Sequence, residues 1–354
     1  MQQATSRRSS VTRGFGRLPR IGIFDTLGPL LGLAVAGLVL FPLWHIVKRA
    51  VFADGGFTLK FFRQVLNDPT IGDVVLNTAI ITSVSTAAAV ALACAFAWFN
   101  ERTDARLGWL ARILPLVSLL IPGAASAFGW YTLLAPRAGS LNVLMRSGLD
   151  HVGIHLDTGP INITSMYGMI FLYTALLMPI AYVVMQPAFQ NLDPALEEAA
   201  RTSGAGPIRT LTRITLPSLL PSITSAVLLT GVVSIALFSI PLIIGTPAGI
   251  SVISTRMYQY LTYGFPPATG PALALTMFVL TVTMVGVVVQ RHLGKRQRHA
   301  VIVGKRSTTS LVHLGRWRFF ARGSMIFYLL ISAVVPLLGP VSYTHLTLPT
   351  NREV

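Results

Sequence analysis

A single cysteine, Cys94, occurs in 354 residues, which excludes an intrachain disulfide. It falls within an apolar run and reads as a small packing residue. Charge is also scarce. Asp, Glu, Lys and Arg make up 11% of the chain, against about 25% in soluble domains. The twelve acidic residues all lie outside the interiors of the apolar runs, with Asp25 at the edge of the first. Ion-coupled carriers keep an ionisable side chain or a broken-helix ion site at membrane depth, so this absence weighs against that class. No G-x-x-x-x-G-K-[ST] pattern occurs: Gly294-Lys295 and Gly304-Lys305 lack the upstream glycine and the following hydroxyl residue. The chain therefore has no phosphate-cradling loop of that type. No acid, base, nucleophile or metal cluster falls at bilayer depth. That argues against a membrane-embedded enzyme and leaves no catalytic, metal-ligating or cofactor-binding residue to name.

What the chain has is apolar length. Hydrophobic residues make up 53% of it, and several runs reach the roughly 20 residues a helix needs to cross a bilayer. Expected spans are Phe24–Val47, Ile71–Phe99, Trp109–Leu134, Ile163–Met185, Pro221–Ile244 and Pro271–Gln290, with a seventh beginning near Phe319. All should be helices, because an open strand leaves backbone groups unpaired in lipid. The expectation is an all-α, polytopic transmembrane protein.

A net charge of +16 would suggest nucleic acid in a soluble protein. Here the bases lie mostly between spans and read as topology determinants, so the expected surroundings are a lipid bilayer and not nucleic acid. The first run follows five arginines but exceeds the about 7–15 residues of a signal h-region, and further spans follow it. It reads as a retained helix. With the N-terminus in the cytoplasm, inner segments carry twenty Lys and Arg and outer segments seven, as the positive-inside rule requires. The segments on the side of the N-terminus are therefore expected to face the cytoplasm.

Pro42, Pro115, Pro122, Pro179 and Pro241 punctuate the spans. Each frees a carbonyl and bends a membrane helix, as a packing bend or as a gate hinge. Trp44, Trp98, Trp109 and Trp130 fall near span ends and suggest an aromatic belt. Ser83, Ser85 and Ser234 sit in apolar helices, where hydroxyls pair with backbone or neighbouring helices. His45 reads as a snorkelling or helix-pairing residue. His151, His155 and Asp157 share a polar external loop and read as solvated, since such spacing alone is weak for a metal.

One hydrophilic island stands out: Glu198-Ala199-Ala200-Arg201-Thr202-Ser203-Gly204, followed by Ile214-Thr215-Leu216-Pro217. Asp193 can cap a helix opening with Pro194, and Glu197 and Glu198 then lie on the favourable side of its dipole. Leu196, Ala199 and Ala200 share a face. Gly204 and Gly206 break the helix, and Pro207 can start a second, with Arg209 and Arg213 on its polar side and Leu211 and Ile214 on its apolar side. Helix, glycine turn and helix would make a stiff knob. The plainer reading is an amphipathic connector on the membrane surface.

The spacing Glu-Ala-Ala, Gly three residues on, then Ile-x-Leu-Pro resembles the cytoplasmic coupling loop of ABC-importer permeases. Seven positions match within twenty residues. The resemblance runs for about 290 residues. It includes Phe57-Thr58-Leu59, Asn77-Thr78, Gly139-Ser140-Leu141-Asn142, Ile240-Pro241-Leu242-Ile243-Ile244-Gly245 and Tyr263-Gly264-Phe265-Pro266-Pro267-Ala268. Together these look most like the fused permeases of ferric-iron importers, whose relatives move thiamine, phosphonates or polyamines. The resemblance implies a type I importer fold and a transport subunit without ATPase activity of its own. Its implied partners are an ATPase subunit dimer, a periplasmic solute-binding protein and a second permease half. It places ATPase coupling on Glu197, Glu198, Ala199, Ala200, Gly204, Ile214, Leu216 and Pro217. The competing classes are an ion-coupled secondary transporter, a membrane enzyme and a non-transporting scaffold.

On this reading residues 1–23 are a basic cytoplasmic N-terminus and residues 24–290 a six-helix unit with its coupling loop at 190–217. Residues 291–318 are a basic linker, with anionic lipid headgroups as a lesser possibility. Residues 319–340 would open a second unit, weakly echoed by Gly16-Arg17 leading to Pro42-Leu43 and Gly315-Arg316 leading to Pro336-Leu337. The tail 341–354 turns polar and reads as a non-native extension, so a longer protein cut short is expected.

Overall fold

The computed structural model describes residues 23–53, 56–110, 117–297 and 311–339. The expected N-terminal segment 1–23, most of the linker 291–318 and the tail 341–354 lie largely or wholly outside them. The chain divides after Arg49 into two compact units. The first is helix α1 (Ile23–Val51), apolar and continuous through Pro29 and Pro42. His45 Nδ1 lies 3.0 Å from the Phe41 carbonyl one turn earlier, and the two rings pack at 4.4 Å.

The second unit is helical apart from a short hairpin, Phe52–Ala53 with Gly56–Phe57. Its helices are α2 (Lys60–Leu66), α3 (Ile71–Arg102), α4 (Gly123–Leu134), α5 (Ser140–Asp150), α6 (Met166–Asn191) and α7 (Pro194–Thr202). Then follow α8 (Pro207–Ser218), α9 (Leu220–Ala236), α10 (Ile253–Thr262), α11 (Thr269–Gln297) and α12 (Trp317–Gly339). Among the described residues five helices are long and apolar enough to cross a bilayer, or six with α8 and α9 taken as one bent span. The fold is all-α.

The core forms between α3 and α6. Ala89, Ala93 and Ala97 recur every fourth residue on α3 and are fully buried, which lets the helices approach closely. Met169, Tyr173, Leu177, Met178, Ala181, Met185 and Phe189 of α6 fill the facing side. The expected serine bonds are present: Ser83 to the Ala79 carbonyl at 2.6 Å, Ser85 to that of Ile81, and Ser234 to Thr82 at 3.2 Å.

Two expected spans are not single helices. Trp109–Leu134 breaks at Leu120–Pro122, where Pro122 takes an extended conformation before α4; Pro115 lies outside the described residues. The proline removes a donor and disfavours helical backbone in the residue before it. Likewise Pro221–Ile244 breaks at Leu237, and a π-helical turn over Pro241–Gly245 follows. The Pro241 ring would clash with the carbonyl four residues earlier. That carbonyl, on Leu237, turns away and accepts from Ser254 Oγ at 2.8 Å. Trp130, expected in an interfacial belt, is buried edge-on against Phe171 at 5.2 Å.

Residues 319–339, expected to open a second unit, belong to α12 and pack on the rest of this one. Pro179 leaves the Ala175 carbonyl without its helical donor, and Tyr328 Oη donates to it at 2.7 Å. Ser332 and Ser118 meet at 2.7 Å. Near the far end of α12, a Cβ on Gly129 would lie 1.9 Å from the Pro336 carbonyl oxygen. Only glycine permits that approach.

Two polar clusters hold the connecting segments. Fully buried Asn142 donates to the carbonyls of Leu134, Ala135 and Ile161 at 3.0, 3.1 and 2.7 Å, which fixes the α4–α5 corner. Asp68, between α2 and α3, receives hydrogen bonds from Arg256 and, at 2.6 Å, from Tyr260 of α10. Burial alone would raise the Asp68 pKa. The bonds from Tyr260, Arg256 and Thr70 outweigh it and hold the carboxyl well below its ordinary range.

Candidate functional site

The hydrophilic island folds as a helix, a glycine turn and a second helix. Asp193 caps α7 by accepting from Ala195 N at 2.9 Å, and Pro194 takes the first position. At the other end Gly204 adopts φ +83°. Gly204 N donates to the Arg201 carbonyl at 2.9 Å and Ala205 N to that of Ala200 at 3.0 Å. This pair of bonds defines a Schellman cap, in which the left-handed residue is normally glycine. A Cβ on Gly204 would meet nothing within 4 Å, so backbone conformation and not crowding selects it.

Pro207 opens α8, which carries a π-helical turn over Leu211–Thr215 and meets α9 at a 70° bend. Arg209 and Arg213 are exposed, while Leu211, Ile214 and Leu216 are half-buried. Pro217, expected to anchor the knob with Ile214 and Leu216, is exposed.

The knob has two distinct sides. Glu198, Ala199 and Gly204 are exposed, Ala200 is half-buried, and Leu196 and Ile208 are 52% and 72% exposed. The exposed positions thus comprise apolar and small residues and one carboxylate. Glu197 points the other way and is 3% exposed. Its Oε1 accepts from Thr215 Oγ1 at 2.7 Å, while its Oε2 lies 3.7 Å from the Arg102 guanidinium and 3.8 Å from that of Arg201. Glu197 thus closes the two helices on each other and ties them to the end of α3.

Arg102 and Thr215 are the residues that sequence reasoning missed. Arg102 had counted only as one base among those beyond the second span, and Thr215 is the variable position between Ile214 and Leu216. A signal existed: an arginine closing a long apolar helix needs an acceptor, and Glu197 is the first of the two adjacent acids ahead of the paired alanines. Beside them, Glu101 accepts from Gln186 and Gln190 of α6, each at 3.1 Å.

His151, His155 and Asp157 do not converge. His155 Nδ1 lies 3.0 Å from Asp150, His151 reaches the Ser147 carbonyl, and Asp157 offers its backbone carbonyl to Arg146. Among the described residues no group of three or more His, Cys, Asp or Glu is placed to hold a metal ion.

Comparison with known proteins places this architecture. The family described as "Binding-protein-dependent transport system inner membrane component" matches residues 106–299, more than half of the chain. The putative ferric transport system permease protein FbpB 1 of Haemophilus influenzae is 23% identical over 229 residues, covering 65% of this chain and 35% of that protein. The inner membrane ABC transporter permease protein YdcU of Escherichia coli is 28% identical over 251 residues, covering 66% and 78%. The spermidine/putrescine transport system permease protein PotB of Escherichia coli is 24% identical over 231 residues, covering 64% and 82%. The chain spans about a third of the length of the ferric relatives it matches. A bacterial ABC transporter involved in the import of the acidic polysaccharide alginate shares the fold, with TM-score 0.58, 20% identity and coverage of 77% of this chain and 95% of that one.

Proposed function

Because the chain belongs to the family of binding-protein-dependent transport system inner membrane components, we propose that it forms the substrate pathway of an ATP-driven importer and couples that pathway to a separate ATPase dimer through the α7–α8 knob. The observation that carries this reading is the two-sided knob. Leu196, Ala199 and Ile208 are exposed, while Glu197 is buried and locked to Arg102 and Thr215. An exposed apolar patch rimmed by polar groups suits protein docking, and a stiff attachment lets docking move the spans. In this reading the knob and the N-terminus face the cytoplasm, as the excess of bases on that side supports. Glu198, Ala199, Ala200 and Gly204 form the coupling core.

The remaining partners are a periplasmic solute-binding protein and a second permease half. Ferric iron is the first substrate to test, and spermidine and putrescine the second, since relatives named for both are similar to this chain. Thiamine and phosphonates follow. The test is uptake into proteoliposomes holding the protein, its ATPase and its binding protein. Radiolabelled ferric iron should enter only with ATP, and unlabelled spermidine should not compete. Uptake that persists without ATP under an imposed ion gradient would overturn the importer reading.

A further inference from the structure

We propose that Arg102 is a positioning residue that transmits movement of the knob to the spans, by clamping across the hinge between α6 and α7. This rests on the coupling reading above. The chain passes from α6 to α7 through only Leu192 and Asp193, both in extended conformation. Such a link has no helical hydrogen bonds of its own and would let α7 swing independently of α6.

The Arg102 guanidinium closes that freedom. Its Nη2 donates to the carbonyls of Phe189 and Leu192 at 2.8 and 2.7 Å, on the α6 side of the hinge. Its Nη1 lies 3.7 Å from Glu197 on the α7 side. Arg102 and Glu197 are only 2% and 3% exposed, so water competes little for the pair. Arg102 is also the last residue of α3. A displacement of α7 must therefore break the clamp or carry the ends of α3 and α6 with it.

The same short segment holds the start of α12. The Arg102 carbonyl accepts from Val312 N at 3.0 Å, and Asp104 N donates to the Val312 carbonyl at 3.1 Å. The Asp104 carboxylate accepts from Leu314 N at 2.9 Å, and its carbonyl from Arg322 at 2.8 Å. The Leu314 backbone bond holds the Asp104 pKa below its ordinary value. Four helices (α3, α6, α7 and α12) thus meet at three residues, Arg102 to Asp104. Arg102 and Thr215 lie outside the expected coupling positions, and Glu197, which is one of them, is buried, which fits a role in transmission and not in contact with the ATPase.

The test uses the protein reconstituted with its ATPase and binding protein, comparing wild type, Arg102→Lys, Arg102→Gln and Thr215→Val. Lysine keeps the charge but loses the planar fork that spans both sides of the hinge. Substrate moved per ATP hydrolysed should fall about tenfold in Arg102→Gln, within the usual range of coupling between sites. Arg102→Lys should lie between Gln and wild type. Thr215→Val, which leaves the charges paired, should lose least. ATPase capture and basal hydrolysis should stay near wild type in all three. Unchanged transport per ATP in both arginine variants would overturn the proposal, as would transport that falls only in step with lost ATPase capture. A wild-type chain that captures no ATPase would instead remove the coupling reading itself.

Discussion

Gly204→Asp is expected to leave the protein inserted while abolishing ATPase association and transport. Gly204 sits at φ +83° with open space around it, so an aspartate costs the protein itself only about 1–2 kcal/mol of left-handed strain. The same openness leaves the new carboxylate in solvent, on a knob where Ala199 and Glu198 are exposed as well. Burying that unpaired charge under a docked partner costs about 3 kcal/mol or more, a loss of over about 100-fold in association. Membrane yield should match wild type, while co-purified ATPase and ATP-driven uptake both disappear. A mutant that still captured ATPase and transported at the wild-type rate would refute the assignment.

Gly129→Leu should detach the far end of α12. The would-be Cβ lies 1.9 Å from one backbone oxygen and 2.7 Å from the carbonyl carbon of Pro336, and backbone cannot give way as a side chain can. Overpacking of this kind costs about 3 kcal/mol, and relief requires α12 to withdraw from α4. In a Cys94→Ser background, cysteines at positions 118 and 332 should crosslink readily, since the two serine hydroxyls meet at 2.7 Å. Adding Gly129→Leu should abolish the crosslink. Gly231→Leu, whose site is open within 4 Å, should leave it intact. A crosslink that survives Gly129→Leu would show that α12 does not pack where described.

Much of this architecture was legible in the sequence because its causes are local. Asp193, Pro194 and Gly204 announce a capped helix and its stop by chemistry confined to a few residues, and the structure places each in that role. Apolar length likewise found α3, α6 and α11. The broken spans were less legible. Pro122 and Pro241 were marked as bends, but whether a proline bends or breaks a helix depends on who takes the freed carbonyl. At Pro179 a tyrosine from α12, over a hundred residues away, takes it and the helix continues. At Pro241 the Leu237 carbonyl turns to Ser254 and the helix ends. The Arg102–Glu197 pair was hidden for a similar reason. It joins residues far apart in sequence, and counting bases for topology treats every arginine alike.

This division also orders the coupling site. On the proposed reading, signature positions fall in one window because a partner surface would contact them together. The clamp beneath them is assembled from the ends of α3, α6 and α8 and becomes visible only once the helices are packed.

The most direct test of the central claim is a crosslink from the knob to the ATPase. With Cys94 replaced by serine, Ala199→Cys on the exposed side of α7 should form an adduct with the co-expressed ATPase subunit. Leu144→Cys, also exposed but on helix α5, which the proposed topology puts on the opposite side of the membrane, should form none. Adducts at both positions, or none at position 199, would contradict the account.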